Sequence, residues 1–251
     1  MNNDNLLLDI FLDFGEVMLG AGGEISRVED SIARMGIAYG ATKTSVFIIP
    51  SSMEITMTFS DGETVTRTRR IKGSGAVNFR KLQDLNAISR RCAVDRMTVD
   101  ALKEEVEKIR AHKIPAYKNY LGSAMAASAF SLFFGGTIYD AIVALFFGLF
   151  VAWLQDWYAP QTPNKVFNLF SSSLVMGIGV CLLAKVFPVL NIDMIIIGVI
   201  MLLIPGVATT VSIRDTLVGD TISGITKLMD ALVWAAAQAA GIMVAILIFV
   251  G

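Results

Sequence analysis

Apolar positions change their period twice along this chain. Between residues 6 and 21 they fall at Leu6, Leu7, Ile10, Phe11, Phe14, Val17 and Met18, the spacing of one helix face, and the run stops at Gly22-Gly23. The expected element is an amphipathic helix with a glycine stop. A second helix follows: Ile25, Val28, Ile32, Met35 and Ile37 supply its stripe, Ser26, Arg27, Glu29 and Asp30 its polar side, and Gly40 its C-terminal cap. The period then drops to two. Residues 44–49, 53–59 and 63–71 alternate and are rich in β-branched side chains, which predicts a small antiparallel sheet whose last two strands meet at an Asp61-Gly62 hairpin. In the third run Thr64, Thr66 and Thr68 alternate with Val65, Arg67 and Arg69, so neither face is strongly apolar, as suits an edge strand. Helical spacing returns at Leu82, Leu85 and Ile88, and again at Val99, Leu102, Val106 and Ile109.

Beyond Pro115 the pattern becomes a series of long apolar stretches at 120–135, 141–157, 166–187, 192–213 and 231–250, most of them near the ~20 residues a bilayer core requires. The first two are short and are separated by residues 136–140, a turn-like connector, so they read as a hairpin of two spans. The expected architecture is an α-helical membrane bundle of about five transmembrane helices, residues 116–251, preceded by a small α+β domain, residues 1–115.

Charge follows the same division. Up to Lys118 the chain carries 17 of its 21 basic residues and 16 of its 22 acidic ones, while apolar residues make up 54% of the whole and charged residues 17%. That balance excludes an ordinary soluble domain and a basic nucleic-acid binder. Basic residues resist translocation, and those flanking the first span, Lys165 between spans two and three, and Arg214 and Lys227 between four and five share one side if there are five spans, against Lys185 on the other. The N-terminal domain is therefore expected in the cytoplasm and the C-terminus outside, with the chain ending at Val250-Gly251 without a tail. Asp4, Asp9 and Asp13 precede the first basic residue, Arg27, the reverse of a secretory signal.

Little in the first domain suggests catalysis. With His112 as the single histidine no familiar triad can be assembled, and no zinc-protease, nucleophile-elbow or phosphate-loop motif is complete; Gly73-Ser74-Gly75 reads as a turn. Cys92 and Cys181 read as structural thiols, and neither a metal nor a cofactor is implied. The run Arg67, Arg69, Arg70 and Lys72 is either a solvated strand or a face for acidic lipid or an anionic ligand.

The membrane half is more informative. Gly122, Ser123, Ala126 and Ala127 in span one, and Ala235, Ala236, Ala239, Ala240 and Gly241 in span five, allow close helix packing. Pro205-Gly206 interrupts span four, because proline lacks an N–H and its ring clashes with the Met201 carbonyl. This is either a packing kink or a break whose backbone groups bind substrate, as broken helices do in many transporters. Thr209, Thr210, Ser212, Arg214, Asp215 and Asp220 follow it. Asn168, Ser171, Ser172, Ser173 and Gln238 add polar groups within other spans, where such groups usually face a partner or a cavity. Arg214 is the preferred contact for an anionic group, since guanidinium matches a carboxylate in two-pronged fashion; the other reading is a structural pair with Asp215 or Asp220.

Residues 23–30 (Gly-Glu-Ile-Ser-Arg-Val-Glu-Asp), Tyr39-Gly40, the Asp61-Gly62 hairpin with its arginine-rich strand, and residues 204–208 (Ile-Pro-Gly-Val-Ala) before Arg214-Asp215 and Gly219-Asp220 together resemble the bacterial threonine/serine exporter family. The resemblance covers the whole chain. It implies a multi-pass protein of the inner (plasma) membrane with a cytoplasmic N-terminal domain and about five spans, and secondary transport driven by an ion gradient. The second membrane set of full-length members is absent, so the chain looks like the large subunit of a split exporter that works as a hetero-oligomer with a small hydrophobic membrane subunit. The split form is similar to the pair implicated in succinate export, and the fused form moves threonine and serine. On this reading Pro205, Gly206, Thr209, Thr210 and Arg214 bind a small carboxylate substrate, Asp215 or Asp220 carries a proton, and the helix over residues 23–34, with Glu24, Arg27 and Glu29, gates access. The competing readings are a channel or scaffold that recruits a partner and, more weakly, a membrane-tethered hydrolase.

Overall fold

A computed structural model describes residues 3–71, 77–162 and 164–249 of the chain. The Gly73-Ser74-Gly75 turn, Lys72 and the expected Val250-Gly251 terminus lie outside the described residues. The chain divides into two compact units, Met1–Lys113 with Val207–Leu228, and Ile114–Gly206 with Met229–Gly251.

The first unit packs four helices, α1 (Asn3–Gly20), α2 (Ile25–Ala38), α3 (Phe79–Val94) and α4 (Val99–Ala111), with a three-stranded antiparallel sheet of β1 (Ala41–Ile49), β2 (Ser52–Phe59) and β3 (Thr64–Arg70) in the order β1-β2-β3. The helix α1 is not simply amphipathic. Leu7, Leu8, Ile10, Phe11, Leu12 and Phe14 are all buried, too many for one stripe, because α1 is the central element, packed against α2, α3, α4, β2 and β3. Met53, Ile55 and Met57 of β2 bury their side of the sheet in the same core. Gly62 takes φ +85° in the β2–β3 turn, which explains the Asp61-Gly62 signal. The strand β3 lies at the sheet edge, and its arginines are not all solvated: Arg69 Nη1 meets Asp13 Oδ1 at 2.5 Å, and Arg110 Nη2 reaches the same oxygen at 2.8 Å. Two more helices of this part of the chain are α9 (Gly206–Val218), which starts at the boundary between the units, and the first two turns of α10 (Thr221–Phe249).

The second unit contains α5 (Ala116–Phe133), α6 (Ile138–Trp157), α7 (Lys165–Val186), α8 (Ile192–Ile200) and the rest of α10. Among the described residues, three helical stretches are long and apolar enough to cross a membrane: Ile138–Gln161, Lys165–Val186 and Thr221–Phe249. The expected first and fourth spans do not reach that standard. The 18 residues of α5 are diluted by Lys118, Asn119, Gly122, two tyrosines and three serines, and the stretch 192–213 is two helices, α8 and α9, parted by turns at 201–205.

Packing fixes the direction of these helices. Gly148 of α6 lies against Ala124 and Ala127 of α5, back across the 134–137 connector. Gln155 of α6 donates to Ser172 Oγ of α7 at 3.4 Å, while the earlier residue Phe147 lies against the later Gly179, so α6 and α7 are antiparallel. Gly198 of α8 faces Ala127 and Ser131 of α5, while Met194 faces Gly136, so α8 opposes α5. The helices α7 and α10 run parallel: Lys165 lies over the Trp234 ring at 3.3 Å, Ser173 faces Gly241, and Gly177 faces Ala245. One buried carboxylate closes the end where α6 and α8 begin. Asp140, fully buried, accepts from Thr137 N at 2.7 Å, Thr137 Oγ1 at 2.8 Å and Asn191 N at 2.7 Å.

Candidate functional site

The α1–α2 turn determines where the first charged group stands. Gly22 adopts φ +88°, and Gly23 N donates to Met18 O at 2.9 Å, closing α1 with a left-handed residue that only glycine takes easily. A Cβ on Gly23 would lie 2.7 Å from that same carbonyl oxygen. Glu24 is thereby set at the N-cap of α2 with extended backbone, and its side chain makes no capping bond to α2. Its carboxylate instead pairs with Arg214 Nη1 of α9 and lies 4.0 Å from Arg27 Nε.

A cleft of ≈ 420 Å³ opens beside this cluster, lined by Gly22, Gly23, Glu24 and Arg27 from the α1–α2 region, Val77, Phe79, Leu82, Gln83 and Asn86 from α3 and its approach, and Val207, Thr210, Val211 and Arg214 from α9. The Arg214 side chain is 53% exposed and that of Glu24 19%. A small anion entering the cleft therefore meets a guanidinium already holding a carboxylate, flanked by a second guanidinium and by the amides of Gln83 and Asn86.

Residues assigned separately from the sequence, Glu24 and Arg27 as a gate, Thr210 and Arg214 as a substrate site, thus line one cleft. Others lie apart from it. Arg214 is not paired with Asp215 or Asp220: Asp215, 3% exposed, accepts from Lys227 Nζ at 2.7 Å, bracing α9 against α10. Gly224 permits this approach, since a Cβ there would lie 2.7 Å from Ser212 O. Asp220 precedes α10, where its N–H donates to Asp215 O at 2.9 Å. Its charge also acts on half-buried Glu29 of α2; burial first, and then Asp220, push the Glu29 carboxyl above the usual carboxylate range, against a backbone hydrogen bond from Ile48. Thr209 lies on α9, where its carbonyl accepts from Ser212 Oγ at 2.7 Å.

Pro205 and Gly206 belong to the second unit, at the end of the α8 turns. The helix ends at Ile200, before the proline ring would clash, and the Leu203 carbonyl accepts from Gln238 Nε2 of α10 at 2.7 Å. The break is real, and a side chain of another helix bonds within it.

Sequence reasoning missed Gln83, Asn86 and Lys227, which carry no motif, and Asp140, whose Thr-x-x-Asp spacing is a capping-box signal at the start of a helix.

The family model ThrE, "Putative threonine/serine exporter", matches residues 9–249. The chain belongs to this family. A curated relative, "Probable threonine/serine exporter" of Mycobacterium tuberculosis (strain ATCC 25618 / H37Rv), is 22% identical over 248 residues, 96% of this chain and 46% of the relative. The chain thus spans about half the length of the relative it matches. No solved structure matches it. Membership in an exporter family agrees with three helices of membrane-crossing length and composition, and a transporter is not an enzyme class.

Proposed function

We propose that this chain is a subunit of a secondary-active exporter of the bacterial inner membrane, moving small carboxylate metabolites, threonine/serine or a succinate-type dicarboxylate, with the first unit cytoplasmic. The observation that carries the reading is the Arg214–Glu24 pair at the edge of the cleft. A substrate carboxylate displacing Glu24 takes over a two-pronged, charge-assisted contact without stranding the guanidinium. The released Glu24 stays beside Arg27, and Thr210 is placed to meet a second polar group. Asp215 and Asp220 are the candidates for proton coupling, with Glu29 beside Asp220.

The alternating directions of α5, α6, α7 and α8, with α10 parallel to α7, support five crossings, the fourth made by α8 and its turns. A separate small membrane subunit completes the exporter in this proposal.

The test is counterflow in proteoliposomes containing the chain co-expressed with that subunit. Labelled solute should exchange saturably, which a channel or scaffold does not do. Arg214→Gln should raise KM about 10- to 100-fold, the worth of a charge-assisted contact, and Arg214→Lys should do so less. Normal insertion of Arg214→Gln with wild-type exchange would overturn the assignment.

A further inference from the structure

On α3, Arg80, Asp84, Ile88 and Arg91 recur at three- and four-residue intervals and so share one helix face; on α4, Glu105, Lys108, Ile109 and His112 do the same. The two helices are antiparallel, since Arg91 Nη2 meets Glu105 Oε2 at 3.7 Å while Lys81 Nζ donates to Arg110 O at 2.8 Å. These two faces line a cleft of ≈ 360 Å³, to which Ile88 and Ile109 contribute a buried apolar lining. It is separate from the Arg214 cleft, which meets α3 on another face, at Gln83 and Asn86.

Arg91 and Glu105 neutralise each other. The remaining charges do not. Among the described residues Arg80, Asp84, Lys108 and His112 enter no ion pair, although all four line the cleft and Asp84 is half-buried. Cations from both helices thus share a concave surface with one carboxylate that none of them has closed upon.

Arg80 offers a guanidinium, Lys108 an ammonium and His112 a ring N–H, more donors than the two oxygens of a carboxylate call for and a set suited to a tetrahedral phosphate. Phosphate alone would be opposed by Asp84. An ammonium on the ligand turns that opposition into a contact, and the apolar lining between the helices suits the carbon atoms that join the two charges. Arg80 and Lys108 against Asp84 leave the site positive by one charge. That excess matches a phosphomonoester dianion carrying one ammonium.

We propose that the α3–α4 cleft binds a phosphorylated amine, its phosphate held by Arg80, Lys108 and His112 and its ammonium by Asp84. The site does not depend on what the second unit transports. A soluble phosphomonoester and the headgroup of an aminophospholipid both supply this chemistry; Lys108, Arg110, His112, Lys113 and Lys118, with no acidic residue among them, form a stretch of the kind that collects phosphate headgroups.

The full chain is placed in phosphatidylcholine nanodiscs, whose quaternary amine has no N–H to give Asp84, and titrated by calorimetry with O-phosphoethanolamine, inorganic phosphate and ethanolamine. O-phosphoethanolamine should bind saturably and more tightly than either fragment. Arg80→Gln and Lys108→Gln should each weaken it about tenfold, the equivalent of one charge-assisted hydrogen bond. Asp84→Asn should weaken O-phosphoethanolamine to the same degree and leave inorganic phosphate as tight or tighter, a divergence that misfolding would not give. No saturable binding of O-phosphoethanolamine, or binding that all three variants leave unchanged, would overturn the proposal. An Asp84→Asn loss equal for O-phosphoethanolamine and phosphate would do so as well. Nanodiscs of phosphatidylethanolamine separate the two sources: competition with the soluble probe assigns the site to the lipid headgroup, and undiminished binding of the probe assigns it to a soluble metabolite.

Discussion

Glu29 stands between two demands. Its place on α2 half-buries a carboxylate, and Asp220 sets a second negative charge nearby, so protonation is easier in the folded chain than in the unfolded one. The sign follows. The folded state gains from Glu29 below the unfolded carboxyl value and loses that gain as pH rises through the raised folded value. Glu29→Gln should therefore raise the thermal midpoint of the detergent-solubilised chain at pH 7, with little change at pH 4, and flatten the profile between; an equal shift at both would show that the charge is not what matters. Other residues were legible singly but not in pairs. Arg214 stands out in the sequence as an anion contact and Glu24 enters as a gating residue, yet 190 residues separate them and nothing in either neighbourhood specifies the other. The pairing of Arg69 in the β3 arginine run with Asp13 was not legible, because Asp13 belongs to a helix whose polar residues carry no periodic signal.

At the scale of elements, local chemistry was readable wherever backbone geometry demands a particular residue. Glycine at φ > 0 marked the end of α1 and the β2–β3 hairpin, and proline marked the interruption after α8. Length was less readable, since α5 owes its packing to small residues that carry little hydropathy. Nor did the sequence indicate how α6 and α8 are tied. Asp140 holds the starts of both helices through three hydrogen bonds, although its surroundings look like an ordinary connector. Asp140→Ala removes the acceptor for the first N–H groups of two helices and should cost about 2 kcal/mol, read as a lowered unfolding midpoint. Thr137→Ala, which removes only the hydroxyl, should cost about 1 kcal/mol.

For the molecule as a whole, composition placed a boundary near Pro115, and the compact units part between Lys113 and Ile114. Assignment of Val207–Leu228 to the first unit was not legible, because membership depends on contacts such as Arg214–Glu24 and not on composition. The proposed five crossings make a further prediction within the second unit. With Cys92 and Cys181 replaced, a cysteine at Val189 should react with an impermeant maleimide added to intact cells, while one at Gln161 should react only after permeabilisation. Equal labelling of the two would rule out the alternation.

The same arrangement constrains how the protein is made. Nine residues of α8 rise roughly 13 Å, less than half of a ~30 Å hydrocarbon core, and the turns that follow carry a carbonyl that Gln238 satisfies. The side chain that satisfies that carbonyl lies 35 residues further along the chain and is synthesised after it. On the proposal of five crossings, α8 is too short to span by its own length, and the fourth crossing is complete only once α10 has supplied Gln238 to its turns.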